Sequence, residues 1–178
     1  MKHMKISRYL AAPLAVAFAL VLSGCVTVNT DYDHKVSFSN FHSYSWGSVK
    51  TSNPLYVQRV KDAVNPDLQA KGWQLVPSGG DVTVTAVGSS QDRQMYQTYY
   101  SGLGGEGYYY GGFGDLGTST TTVENYKVGT LVVDMYDAKT KHLVWRSKAN
   151  GNISNNPSNN TQRFDKAVDQ MLANFPPK

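Results

Sequence analysis

The sequence holds one cysteine in 178 residues. A single thiol excludes an internal disulfide framework and a cysteine-based zinc site. Long apolar runs are missing too. The longest, Leu10 to Leu22 with Pro13 inside it, falls short of the roughly 18–20 residues of a membrane-spanning helix. Charge is sparse at 17% of residues, yet 40% are hydrophobic. Such a chain is no disordered polyelectrolyte and is apolar enough to fold. There is no Gly-x-Ser-x-Gly elbow for a hydrolase nucleophile. The length is that of one domain.

What is present begins with a processing signal. Lys2, Lys5 and Arg8 form a positive segment, and the apolar stretch Leu10–Leu22 follows. Met4 is an alternative start that keeps Lys5 and Arg8. The segment ends Leu22-Ser23-Gly24-Cys25. Positive, apolar, small, then cysteine is an export pattern, and Leu-Ser-Gly-Cys resembles the bacterial lipobox. That resemblance implies cleavage before Cys25, with Leu22, Ser23 and Gly24 read by the signal peptidase. It also implies acylation of Cys25 with chains such as palmitate. Several chains on one residue hold a protein firmly, because each buried methylene contributes about 0.8 kcal/mol. Val26, not Asp, follows the cysteine. By resemblance to enteric lipoproteins this favours the outer membrane, with the domain facing the periplasm.

Processing changes the charge. The whole chain carries +4, from 17 basic and 13 acidic residues. Three basic and no acidic residues lie in 1–24, which leaves 14 against 13 and a mature charge near +1. Neither that charge nor the compartment suits nucleic acid.

Along residues 25–178 the pattern predicts one α+β domain: a single, mostly antiparallel sheet of about six strands, with two helices on one face. Residues 26–35 read as a tether that becomes a strand. Residues 42–46 alternate polar and aromatic, the period of a strand, and 47–53 read as a loop. Asn53-Pro54 reads as a helix start. Val57, Val60, Val64 and Leu68 then form one helical stripe. Pro66 either kinks this helix or leaves Asn65 to cap a second short turn. Gly72 reads as its C-terminal glycine. Short strands are expected at 73–76 and 81–88, and a Thr-rich one at 118–126. The strongest pair is 129–136 with 142–149. There Leu131, Val133 and Met135 are expected to share the core face with Leu143 and Trp145. Asp134 and Arg146 then meet on the other face, directly or diagonally. Residues 150–160 read as a loop, and about 161–174 as an amphipathic helix carrying Phe164, Val168, Met171, Leu172 and Phe175.

Several of these segments occur together in an order that resembles a bacterial lipoprotein family called domain of unknown function 4136. They are Asp31-Tyr-Asp33, Tyr44-Ser-Trp46, Leu68-Gln-Ala-Lys-Gly-Trp73, Gly129-Thr-Leu-Val-Val-Asp134, Leu143-Val-Trp-Arg146 and Phe175-Pro-Pro177. The resemblance spans nearly the whole mature chain. It implies a secreted, lipid-anchored α+β domain and supplies neither an activity nor catalytic residues.

Residues 94–117 contain half of the glycines and half of the tyrosines. Gly102, Gly104 and Gly107 match a dinucleotide fingerprint, but the segment has no lysine and no helix-forming continuation. It reads as a glycine-loosened loop between two strands. Its rings, Tyr96, Tyr99, Tyr100, Tyr108, Tyr109, Tyr110 and Phe113, offer an aromatic contact surface. Asp31, Asp33 and His34 fall short of the three or four convergent ligands a metal needs. His42 and His142 lack evident partners, and Trp46, Trp73 and Trp145 read as core. The expected function is a non-enzymatic binding or scaffold module of the cell envelope, with no cofactor. The expected partners are a membrane, through the lipid, and an envelope protein or glycan. The alternatives are an envelope hydrolase with an acidic site, and a surface or biofilm adhesion component.

Overall fold

The computed structural model describes residues 26–101 and 118–177. The elements run β1 (Val26–Tyr32), a 3-10 turn (Phe38–Asn40), β2 (Ser43–Thr51), α1 (Leu55–Ala70) and β3 (Gln74–Leu75). They continue with β4 (Val82–Ser101), β5 (Thr118–Asp137), β6 (Leu143–Ile153) and α2 (Pro157–Leu172).

All six strands form one sheet in the order β1-β6-β5-β4-β2-β3, curled into a half-barrel. The α+β class and strand number match expectation; the expected mostly antiparallel pairing does not. Pairs β1–β6, β6–β5 and β5–β4 are antiparallel, but β2 runs parallel to both β4 and β3. The cause is α1. A strand that returns to its sheet through a helix re-enters in the same direction.

Two turn-like readings give way to strand. Residues 47–51, expected as loop, continue β2 through a register shift between Trp46 and Val49. Residues 94–101, expected as loop, continue β4. Tyr and Thr favour extended backbone, and the Thr-rich half of β5 pairs with them residue for residue as far as Ser101↔Thr118.

Helix α1 is one helix with Pro66 inside it. Asn65 does not cap a second turn. Its Oδ1 accepts from the Tyr44 hydroxyl and from Trp46 Nε1, both at 2.9 Å. Burial pushes the Tyr44 hydroxyl up to about 12. At the start of α1, Asn53 Oδ1 accepts from Leu55 N at 3.0 Å, as the sequence suggests. At its end Gly72 has φ +89°. Trp73 N donates to Leu68 O and Gly72 N to Gln69 O, a Schellman arrangement closed by buried Leu68 and Trp73. Helix α2 begins earlier than the expected 161. Asn156 accepts from Ser158 N at 3.0 Å with Pro157 at the first position, so the Asn-rich loop ends in a cap.

One hydrophobic cluster joins the sheet's inner face to Val60, Val64 and Leu68 of α1 and to Val168, Met171 and Leu172 of α2. Phe175, just past α2, is its aromatic hub. It meets Phe38, Trp73 and Trp145 edge to face at 5.8, 5.0 and 5.4 Å. On β5 and β6, Leu131, Val133 and Met135 lie opposite Ala149, Ser147 and Trp145. A register shift after Met135 turns both Val144 and Trp145 inward. Leu143 therefore leaves the core face assigned to it and is 37% exposed. The buried Ser147 hydroxyl is paired with Thr30 Oγ1 at 2.7 Å. Among the described residues, every member of this cluster lies between Val26 and Phe175.

Candidate functional site

Two features concentrate at one end of the sheet: a projecting ribbon and a cavity at its foot. Val26, Gly151, Gly129 and Ser90 form one continuous row across β1, β6, β5 and β4. Beyond that row the neighbours drop away. Strand β2 ends at Thr51↔Gly88 and β6 at Ile153↔Lys127. From Arg93↔Tyr126 outward, β4 and β5 continue as a two-stranded ribbon with both outer edges unpaired among the described residues. At about 3.4 Å per residue, the ribbon reaches on the order of 35 Å from the row.

The ribbon presents apolar groups on both faces. Tyr96 pairs with Val123, Met95 with Glu124 and Tyr99 with Thr120. Tyr96 and Tyr99 are 66% and 63% exposed, on opposite faces by the alternation of the strand. Each hydroxyl is held by the glutamine two residues back, Gln94 at 2.9 Å and Gln97 at 2.8 Å. These bonds brace the rings outward from the strand. The backbone of Tyr100 lies in β4. Tyr108, Tyr109, Tyr110, Phe113 and the glycines at 102, 104 and 107 lie outside the described residues, as do Leu22, Ser23, Gly24 and Cys25.

The cavity measures about 520 Å³ and opens between the two helices and the foot of the ribbon. Gly88, Gly129 and Gly151 form its floor, and Val60, Leu131 and Phe164 are among its apolar walls. Glycine at three inward positions on neighbouring strands brings backbone to the lining, next to the small inward residues Ala86 and Ala149. Among the described residues Arg163 is the one charged residue on the lining; its Nη1 donates to Asn152 O at 3.1 Å. The sequence signal for this cavity is a set of isolated glycines inside strand patterns, which mark close approach or missing side chains. Their spacing along the chain does not reveal that they are neighbours.

The remaining candidates hold structural positions. Asp134 and Arg146 are directly paired, with Nε and Nη2 donating to Oδ1 and Oδ2 at 2.6 and 2.8 Å. The carboxylate holds the guanidinium proton more tightly than usual. Asp81 and Asp137 border a shallow second hollow, which is what an acidic hydrolase site would require. Asp81 Oδ2, however, accepts from His42 N, Ser43 N and the Ser43 hydroxyl, each at 2.9 Å. Asp137 Oδ1 accepts from Thr140 N at 3.0 Å and Lys139 N at 2.7 Å. These donors, led by His42 N and Thr140 N, hold both carboxyls below the usual range. A general acid needs the opposite displacement. Asp31 and Asp33 accept from nearby backbone N–H groups, and the His34 ring lies 4.2 Å from that of Tyr32. Among the described residues no three His, Cys, Asp or Glu side chains converge on a common point. Trp73 and Trp145 are buried, and Trp46 packs partly buried at the core's edge.

Residues 28–177 match the family described as domain of unknown function (DUF4136), and the chain belongs to it. No curated protein matches the chain in sequence. Among solved structures, the PelC dodecamer from Paraburkholderia phytofirmans is similar at TM-score 0.50 and 12% identity, over 84% of this chain and 95% of that one. A PDZ domain protein from Parabacteroides distasonis is similar at TM-score 0.53 and 13% identity, over 86% of this chain and 36% of that one. At such identities the likeness extends to the fold alone.

Proposed function

We propose that this chain is a lipid-anchored cell-envelope protein of the outer membrane, facing the periplasm, that works as a non-enzymatic binding or scaffold module. Its contact surface is the β4–β5 ribbon. The observation that carries this reading is the ribbon's isolation. A two-stranded hairpin alone is marginally stable in water, and exposed apolar side chains with unpaired strand edges invite a partner. Tyr96, Tyr99, Met95 and Val123 supply those side chains. The anchor reading rests on Leu22-Ser-Gly-Cys25 after an apolar export segment, and is supported by the position of Val26, the next residue, at the ribbon's foot. The partner is an envelope protein or glycan met by tyrosine faces and hydroxyls.

Replacement of residues 96–123 by the two-residue turn Asn-Gly, which leaves the Met95↔Glu124 pair to close a shortened hairpin, tests the contact surface. Crosslinked partners of the anchored protein are expected to disappear while the domain stays folded. An unchanged partner set would contradict the proposal.

A second reading is self-assembly. The structurally similar PelC is a dodecamer, and the unpaired ribbon edges suit strand addition from another copy. Sedimentation of the mature domain separates the two readings. A single monomeric species would leave the ribbon to a foreign partner.

A further inference from the structure

We infer that the cavity at the foot of the ribbon takes one saturated acyl chain, and that its occupant in the mature protein is one of the chains carried by Cys25. The second half rests on the anchor reading above; the first stands on the cavity alone.

Folded interiors are filled to crystal-like density, and voids of this size are few. Here Gly88, Gly129 and Gly151 bring backbone to the lining, with the side chains of Thr51 and Ile153 standing 3.2 Å from where a Cβ at Gly88 or Gly129 would sit. The result is an open cleft whose apolar walls include Val60, Leu131 and Phe164. Its volume of about 520 Å³ lies within the usual range of ligand pockets, about 300–1,000 Å³. If a methylene takes up the space of a liquid water, about 30 Å³, the cavity holds most of one long acyl chain. The charge pattern selects the same ligand class. Among the described residues the lining has no carboxylate, and its one cation, Arg163, stands beside the carbonyl of Asn152. An ester or carboxylate head matches a cation, and an apolar tail matches Leu131 and Phe164.

The occupant follows from where the chain ends. Val26 borders the cavity. After cleavage only Cys25 precedes it, with its Cα about 3.8 Å from that of Val26. An acyl group on Cys25 is thus tethered at the cavity mouth by one peptide unit. A tether that short gives an effective concentration of order millimolar or above, which a free lipid does not reach in water. The membrane competes for the same chain by the same apolar transfer.

The test has two arms. In the first, residues 25–178 with Cys25→Ser are titrated with the fluorescent fatty acid cis-parinaric acid, then with palmitate as competitor. Saturable binding displaced by palmitate is expected. Gly129→Leu fills the floor and should weaken binding at least tenfold. Its new Cβ stands 3.2 Å from both Cδ1 and Cγ1 of Ile153, so that side chain must shift by a few tenths of an ångström. Ser90→Trp, at an exposed lining position, should do the same without touching the core. No saturable binding, or binding indifferent to both variants, would overturn the acyl site. In the second arm, cells are fed a diazirine-bearing palmitate and irradiated, and the lipidated protein is mapped by mass spectrometry. Adducts on peptides holding Ile153 or Phe164 are expected. Labelled protein without those adducts would overturn the assignment to its own chain and leave a foreign acyl chain as the source. Protein without any label would instead contradict the anchor reading, and with it this occupant.

Discussion

Asp134 and Arg146 face each other across β5 and β6 and are joined by two hydrogen bonds, yet they are unequally buried. The Asp134 side chain is 9% exposed and that of Arg146 52%. This asymmetry makes the two truncations unequal. Arg146→Ala leaves a buried carboxylate without its donor and should cost about 1–3 kcal/mol. Asp134→Ala leaves a guanidinium that water already reaches and should cost about 1 kcal/mol or less. Urea unfolding of both variants and of the double variant checks the order. Equal costs would show that the carboxylate is solvated after all.

Asp67 carries the opposite electrostatic situation. Burial first, then the charge of Asp169, raise its pKa, with Lys71 opposing. Among the described residues its buried Oδ2 has no hydrogen-bond partner. A carboxyl whose folded value lies above its unfolded 3.8 is penalised when charged. The penalty is therefore present at neutral pH and vanishes below 3.8. Asp67→Asn should raise stability at pH 7 by about 0.5–1 kcal/mol, the modest end for a single stabilising change. The gain should disappear as pH falls through the raised value. Melting curves at the two pH extremes read this directly, and a pH-independent gain would contradict the cause given.

Gly80 is a position where no side chain fits. An added Cβ would stand 2.5 Å from the Tyr44 carbonyl carbon and 2.7 Å from Ser45 N. Both neighbours are backbone, which cannot swing aside. Gly80→Ala should cost about 2–3 kcal/mol or more. Gly79→Ala, in open space at φ +72°, should cost only about 1 kcal/mol, from the backbone conformation. Chemical denaturation of the two variants compares them. A larger loss at 79 than at 80 would contradict the packing described.

Much of this was legible in the sequence because periodicity and caps act locally. The apolar stripe of α1, Gly72 as its closing residue and the opposition of Asp134 to Arg146 all follow from spacing. Parallel pairing of β2 with β4 was not legible, because direction is set by a crossover rather than by either strand. The extension of β4 through Tyr96 and Tyr99 was obscured by the glycines that follow it. Those glycines lower the apparent strand tendency of the whole segment, although the first eight residues are Tyr, Thr, Gln, Met and Ser. The inward turn of Val144 depends on one register shift, which no alternating pattern encodes. The cavity needed three strands aligned before Gly88, Gly129 and Gly151 could be seen as neighbours.

The central claim is that the ribbon is where this protein meets its partner. Photo-crosslinking residues placed singly at Tyr96, Tyr99 and Lys139 in intact cells test it most directly. Lys139 is an exposed position in the β5–β6 turn, at the opposite end of β5 from the ribbon. Discrete crosslinked species at 96 and 99, with none at 139, are the predicted result. No adduct at either tyrosine, or the same adducts at all three positions, would contradict the account.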